Sequence, residues 1–241
     1  MVVQPDGKIV VVGMRGRTVS SNFGVWRFTA NGAPDLSFSG DGVAVTDFGG
    51  NEEAEELALL SDGRIAVTGT TVGGDGLSHA AVAVLTPSGK LDDSFSGDGR
   101  VVRGGQAETG GYALAVDDLD RIIVAGPRDL SYAMFRYTPA GVVDRSFGGT
   151  GVVEIAKLSA NTTSNFPEAV DVAIQSDGRV LALGIRYTQS PAGGADSGLA
   201  RVTSAGVPDT TFSGDGFVRT GFAAERRRTA RHGPTNRITA A

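Results

Sequence analysis

The chain has 241 residues, 40% of them hydrophobic, and a formal net charge of −5 at pH 7. That content supplies one domain with an ample core, and no run approaches the roughly 18 apolar residues of a membrane-crossing helix. Cysteine is absent, which excludes disulfides and thiolate sites, and the acidic balance opposes binding of polyanions by the body of the chain.

From the N-terminus, Met1-Val2-Val3 aligns with the end of a strand, Leu57 to Leu59, seen in full further along. The first repeating unit is therefore expected to hold only a stub of its inner strand, with no signal peptide read in this sequence. Gln4 to Gly13 (QPDGKIVVVG) reads as a tight hairpin, with the glycine of the D-G turn at positive φ. Gly24 to Thr29 gives a third strand. Thr29 then opens T-x-x-G-x-x-D-x-S-F-S-G-D-G, and Val43 to Phe48 gives a fourth strand.

The same order returns three times. Hairpin signatures recur at Leu60 to Gly69, Asp117 to Gly126 and Gln175 to Gly184, and the fourteen-residue motif recurs at Thr86, Thr138 and Thr203. Between the equivalent basic residues Lys8, Arg64, Arg121 and Arg179 the period is 56, 57 and 58 residues, room for four strands. Self-similarity on this scale marks one supersecondary unit copied in tandem, each copy burying its apolar surface against the next. Two departures fall in the third unit, where Leu119-Asp120 replaces the D-G turn and Thr150 replaces the G-D-G aspartate.

Continuous apolar runs such as Ile9 to Val12 and Ile122 to Ala125 predict strands buried on both faces. Gly at 36 of 241 residues weighs against helices. The fold expected is an all-β β-propeller of four four-stranded antiparallel blades, the first lacking most of its inner strand. A parallel β-helix is the main rival, but its coils are much shorter. With a stub at one end and a polar segment at the other, an open or incomplete ring is expected, and a closed four-bladed ring is the alternative. Residues 1–222 form the repeat domain, with units at about 1–51, 52–107, 108–159 and 160–222; residues 223–241 are an Arg-rich tail expected to be disordered.

QPDGKIVVVG together with TANGAPDLSFSGDGVAVTDFGG resembles the bacterial delta-60 repeat, over about residues 1 to 222. The resemblance implies a β-propeller-like fold, an exported or cell-surface parent protein of which this is a fragment, and no assigned activity.

In a propeller, loops between strands one and two and between strands three and four share one face. Loops between strands two and three and between blades share the other. The first set is nearly uniform here. From the strand-two glycine to the motif threonine the distances are instead 16, 17, 12 and 19 residues, and from the last motif glycine to the next hairpin's basic residue 22, 22 and 28. Irregular loops on a rigid scaffold are where binding is usually placed. The ligand-binding candidates on that rim are Arg15, Arg17, Asp75, His79, Arg128, Asp129, Arg186, Tyr187 and Asp196. His79 stands alone in the repeat body, without a second histidine for metal or nucleophile chemistry.

The motif residues Asp35, Phe38, Gly42, Asp92, Phe95, Gly99, Asp144, Phe147, Gly151, Asp209, Phe212 and Gly216 read as structural: aspartates accept backbone N–H groups, glycines supply positive φ, and each phenylalanine plugs a blade. The next residue position in strand three holds Arg27, Val84, Arg136 and Arg201, and the arginines are expected to pair with motif carboxylates. A calcium site is the alternative for aspartates spaced six apart, but calcium favours a tighter ladder of oxygens. No nucleophile elbow, metalloprotease pair, phosphate loop or dinucleotide fingerprint is present. The expectation is a non-catalytic scaffold or binding module with no cofactor or metal, a protein or glycan partner, no nucleic acid and no membrane span. Self-association through unpaired blade edges is allowed. The alternative function is a carbohydrate hydrolase or lyase using Asp75, Asp129 and Asp196.

Overall fold

The computed structural model describes residues 1–17, 20–103, 109–128, 131–155, 168–188 and 194–221. These residues form sixteen strands in four antiparallel sheets and contain no helix. The first sheet holds β1 (Val2–Val3), β2 (Ile9–Arg17), β3 (Ser20–Phe28) and β4 (Val43–Thr46). The second holds β5 (Asn51–Leu59), β6 (Ile65–Val72), β7 (Ser78–Leu85) and β8 (Arg100–Arg103). β9 (Ala113–Val116), β10 (Ile122–Arg128), β11 (Ser131–Tyr137) and β12 (Val152–Ile155) make the third. β13 (Glu168–Ile174), β14 (Val180–Thr188), β15 (Gly194–Val202) and β16 (Phe217–Gly221) make the fourth. Within each sheet the strands lie side by side in chain order, the meander of a propeller blade. As the stub predicts, the inner strand of the first sheet is two residues long, pairing Val2 with Val10 and Val3 with Ile9.

Each hairpin turn closes with the same bond, from Gly7 N–H to Gln4 O (2.9 Å), Gly63 to Leu60 (3.0 Å) and Gly178 to Gln175 (2.8 Å). In the third unit Asp120 occupies the glycine's place at φ 56° and donates to Asp117 O at 2.9 Å. Aspartate tolerates that left-handed backbone better than most residues, so the turn survives the substitution. Its carboxylate also accepts from Ser61 N–H (2.8 Å) and Ser61 Oγ (2.7 Å), tying the second unit's turn to the third's.

Three core clusters hold the sheets together, one for each pair of neighbours. Val10, Phe23, Phe38, Ile65, Ala83 and Leu85 join units one and two. Val84, Phe95, Ile122 and Phe135 belong to the cluster between two and three, and Tyr132, Met134, Phe147, Val180 and Val202 to that between three and four. Among the described residues no core cluster joins the fourth unit to the first, and they form an unclosed arc. Burial on both faces, expected for every sheet, holds only in the middle of the arc. β7 and β11 are buried along nearly their whole length, whereas along Val180–Ile185 buried and half-buried residues alternate. A unit at an end of an open arc has one neighbour, so one face stays uncovered.

Consecutive units lock through a fixed set of contacts. Phe38, Phe95 and Phe147 are wholly buried, and each ring lies against a motif glycine of the next unit. A Cβ on Gly89 would come within 2.8 Å of Phe38, one on Gly141 within 3.2 Å of Phe95, and one on Gly206 within 2.9 Å of Phe147. Positive φ at these glycines adds to the steric reason for having no side chain. The residue after each phenylalanine donates its N–H to the neighbouring turn: Ser39 to Ser88 O (2.8 Å), Ser96 to Ala140 O (2.9 Å) and Gly148 to Ala205 O (2.8 Å).

Removing a buried ring leaves a cavity the lock does not refill, so Phe95→Ala is expected to cost about 3–5 kcal/mol. Phe212, at the end of the arc, is only half-buried, and Phe212→Ala should cost clearly less. Urea unfolding of both variants measures the difference, and equal losses would contradict the ring's role between units.

Candidate functional site

The motif aspartates lie where the hairpin turns meet the motif loops, and each is held by cations. Asp35 Oδ2 accepts from Arg27 Nε at 2.7 Å, with Lys8 Nζ at 3.4 Å. Asp144 Oδ2 accepts from Arg136 Nε at 2.8 Å, with Arg121 at 3.7 Å. Asp209 Oδ2 accepts from both Arg201 (2.8 Å) and Arg179 (2.9 Å). In the second unit Val84 stands where the others have arginine, and Arg64 alone serves Asp92, at 2.8 Å. The strand-three arginines thus pair as the sequence predicts.

The hairpin cations Lys8, Arg64, Arg121 and Arg179 are the partners that sequence reasoning missed. Their signal was present, because a basic residue follows the turn in every unit, but nothing in the spacing showed that the motif carboxylate folds back over it. The other motif roles are also visible. Oδ1 of Asp35, Asp92, Asp144 and Asp209 accepts the N–H of Ser37, Ser94, Ser146 and Thr211, at 3.0–3.1 Å. Gly42, Gly99, Gly151 and Gly216 all take positive φ, and each donates its N–H to the motif phenylalanine carbonyl four residues back. Phe212 is the one motif ring left half-buried, with the Arg201 guanidinium 4.7 Å from its centre.

Two arginines reach further. Arg27 Nη1 donates to Pro87 O, and Arg136 Nη1 to Ser204 O, each at 2.5 Å and each in the following unit. The same guanidinium groups stack 4.5 Å from the centres of Phe38 and Phe147. One arginine therefore joins its own loop, the plugging ring and the next unit. A carboxylate already bonded to a guanidinium leaves little charge for a divalent ion, and among the described residues no group of three histidine or acidic side chains is placed to hold one.

Hairpin ends and links between units gather on the other face. Ser21 Oγ on β3 lies 2.7 Å from Asn51 Oδ1 and 2.8 Å from Glu52 O at the start of the second unit, its one proton serving either acceptor. Glu52 is 1% exposed, and its Oε1 accepts from Gly50 N–H (2.7 Å) and Thr71 Oγ1 (3.1 Å). In the third unit Thr109 fills the corresponding place: its Oγ1 accepts from Ala80 N–H (2.9 Å) and donates to Arg103 O (3.0 Å). These buried stitches have no shared sequence signature, which is why reading the repeat did not find them.

The rim candidates fall into unlike settings. Arg15 is exposed near the end of β2, opposite Asn22, and forms no ion pair among the described residues. Asp75 is exposed, and its Oδ2 lies 2.9 Å from His79 Nε2. Leu77 N–H and then His79 hold its carboxyl below the usual aspartate range. His79 itself is buried, and its Nδ1 has no partner. Arg128 pairs with Glu154 on the outer strand of the same sheet and is not a free cation. Arg186 faces Asp196, and Tyr187 faces Ala195, in the β14–β15 register. The side chains of Arg17, Arg186, Tyr187 and Asp196 lie outside the described residues, as do Asp129 and the Arg-rich segment 223–241.

A separate notch of about 260 Å³ opens between the turns of units three and four, lined by Asp117, Leu119, Arg121, Gln175 and Ser176 among others. Its one cation, Arg121, is bonded to Asp117 at 2.7 Å. The notch therefore offers no unneutralised charge from that pair.

Hydrogen bonds from Ser37, and the Arg27 charge beside it, hold Asp35 at about 2; Thr211 and Arg201 do the same for Asp209. Their usual value is 3.8, so both contribute stability that is fully present above about pH 4 and lost as pH falls through about 2. The urea midpoint should fall across that window. In Asp35→Asn the fall should be shallower, from a lower starting stability, and parallel pH profiles would remove Asp35 from the account.

Residues 4–38, 60–95 and 175–212 match a family model described as a domain of unknown function (DUF5122) beta-propeller. Each match runs from the start of a hairpin turn to the motif phenylalanine; the unit with Leu119-Asp120 in its turn is not among them. No curated protein matches the chain. Three of the four units are thus similar to this β-propeller domain model, whose function is unassigned.

Proposed function

We propose that the protein is a non-catalytic β-propeller scaffold that binds a protein or glycan through the irregular rim of hairpin ends and interunit links. The observation that carries this reading is the division of charge. The repeated aspartates are neutralised by cations of their own units and serve packing. On the opposite rim the charges differ from unit to unit: an exposed Arg15 with no ion pair among the described residues, an Asp75–His79 pair and an Arg128–Glu154 pair. Groups that vary on a rigid frame set specificity without disturbing the frame. The resemblance to an exported bacterial repeat family supports action at the cell exterior, as part of a larger protein.

Panels of immobilised glycans and peptides, read by interferometry with the full chain, test the reading. Once a binder is found, Arg15→Glu should weaken it at least tenfold with no change in the thermal midpoint, while Lys90→Glu on the turn face should leave it intact. The reverse pattern would place binding on the wrong face. Turnover of an oligosaccharide that disappears in Asp75→Asn would replace a scaffold with an enzyme.

A further inference from the structure

Every internal junction uses the same phenylalanine plug, glycine socket and following N–H bond, two of the three add an arginine donor, and the two ends of the arc each carry half of these parts. At the C-terminal end, Phe212 is partly exposed while its three counterparts are wholly buried. Ser213, equivalent to Ser39 and Ser96, holds the same left-handed backbone (φ 55°), but its N–H meets no acceptor among the described residues. Arg201 bonds Asp209 through Nε and Thr211 through Nη2, and among the described residues its Nη1 meets no carbonyl like those that Arg27 and Arg136 find in the next unit. Leu181, Leu183 and Leu199 are half-buried, on the opposite face of the sheet from the buried Val180, Ala182 and Ala200.

The N-terminal end carries the complementary half. Gly32 is the equivalent of Gly89, Gly141 and Gly206, yet the space where its Cβ would stand is empty to 4 Å. Ala30 and Asn31 occupy the positions whose carbonyls accept from the preceding unit in Pro87 and Ser88 and again in Ser204 and Ala205. Ile9, Val11, Trp26 and Phe28 lie half-buried on this face. The Trp26 indole spreads over Gly24, where a Cβ would come within 2.7 Å of Cζ3.

We propose that the C-terminal face of one copy docks on the N-terminal face of a second copy, continuing the internal blade-to-blade packing across two chains. Phe212 seats against Gly32 of the second copy, Ser213 N–H donates to Asn31 O, and Arg201 Nη1 donates to Ala30 O. The contact is heterologous, since each chain presents two different halves, and it repeats until the ends of an assembly meet. Two four-bladed chains give eight blades, within the usual range for a closed propeller. The inference rests on the junction geometry alone and is independent of the rim reading.

Light scattering of the full chain across a wide concentration range should show association. Leu199→Arg on one face, or Val11→Arg on the other, should weaken it at least tenfold, because either places an unpaired charge in an apolar junction. An equimolar mixture of the two variants, each keeping one intact face, should recover a single junction and stop at a dimer. The absence of native cysteine gives a second readout that does not depend on those variants folding. Copies carrying Asn31→Cys mixed with copies carrying Ser213→Cys should form a disulfide-linked heterodimer on mild oxidation, and neither alone should crosslink. A monomer at every concentration, crosslinking of either variant with itself, or a crosslink within one chain carrying both cysteines would overturn the proposal.

Discussion

A phenylalanine resting on a glycine of the next unit is the contact on which the architecture depends. It requires three things at once: a ring projecting from the motif loop, a glycine that leaves room for it, and a backbone that turns the following N–H toward the neighbour. Ser39 and Ser96 meet the last requirement with left-handed φ values of 52° and 57°, a conformation that costs a non-glycine residue about 1–2 kcal/mol. At both serines the strain is offset by a hydrogen bond to the next unit. The segment from threonine to the closing glycine carries the glycine socket for the unit before and the phenylalanine plug for the unit after. Neither works without the other.

Arginine then converts a loop contact into a linkage. Arg27 and Arg136 each satisfy a carboxylate, a hydroxyl, an aromatic face and a carbonyl of the adjacent unit. A planar guanidinium with several fixed donors suits that combination, and a lysine ammonium would not reproduce it. The second unit shows what happens without it: Val84 adds to the apolar cluster between units two and three, and Arg64 takes over the carboxylate. The loss of one donor is absorbed by packing, so the motif tolerates an apolar residue where charge is otherwise the rule.

Much of this was legible in the sequence because the repeat reports its own constraints four times. The strand count, the D-G hairpins, the stub of β1 and the Arg–Asp pairs all follow from aligning the copies. The alignment was blind to whatever does not recur. Glu52 and Thr109 do related work with different chemistry, one accepting and the other both accepting and donating, so no common residue marks the position. His79 looked solitary for want of a second histidine, because its distance from Asp75 suggests nothing until the hairpin bends the two together. The end faces were misread for another reason: Ile9 to Val12 has the composition of a doubly covered strand, and composition does not say whether a neighbour is present.

Because each core cluster spans only two adjacent units, cooperativity in this arc is one-dimensional. Adding or deleting a whole unit leaves every remaining junction chemically intact, provided that plug and socket stay in phase. Genetic duplication of a segment of about 57 residues is then a move with almost no steric penalty, whereas an insertion inside the motif would break two junctions at once. Lineages carrying this architecture should differ in how many units they string together far more readily than in the spacing within a unit.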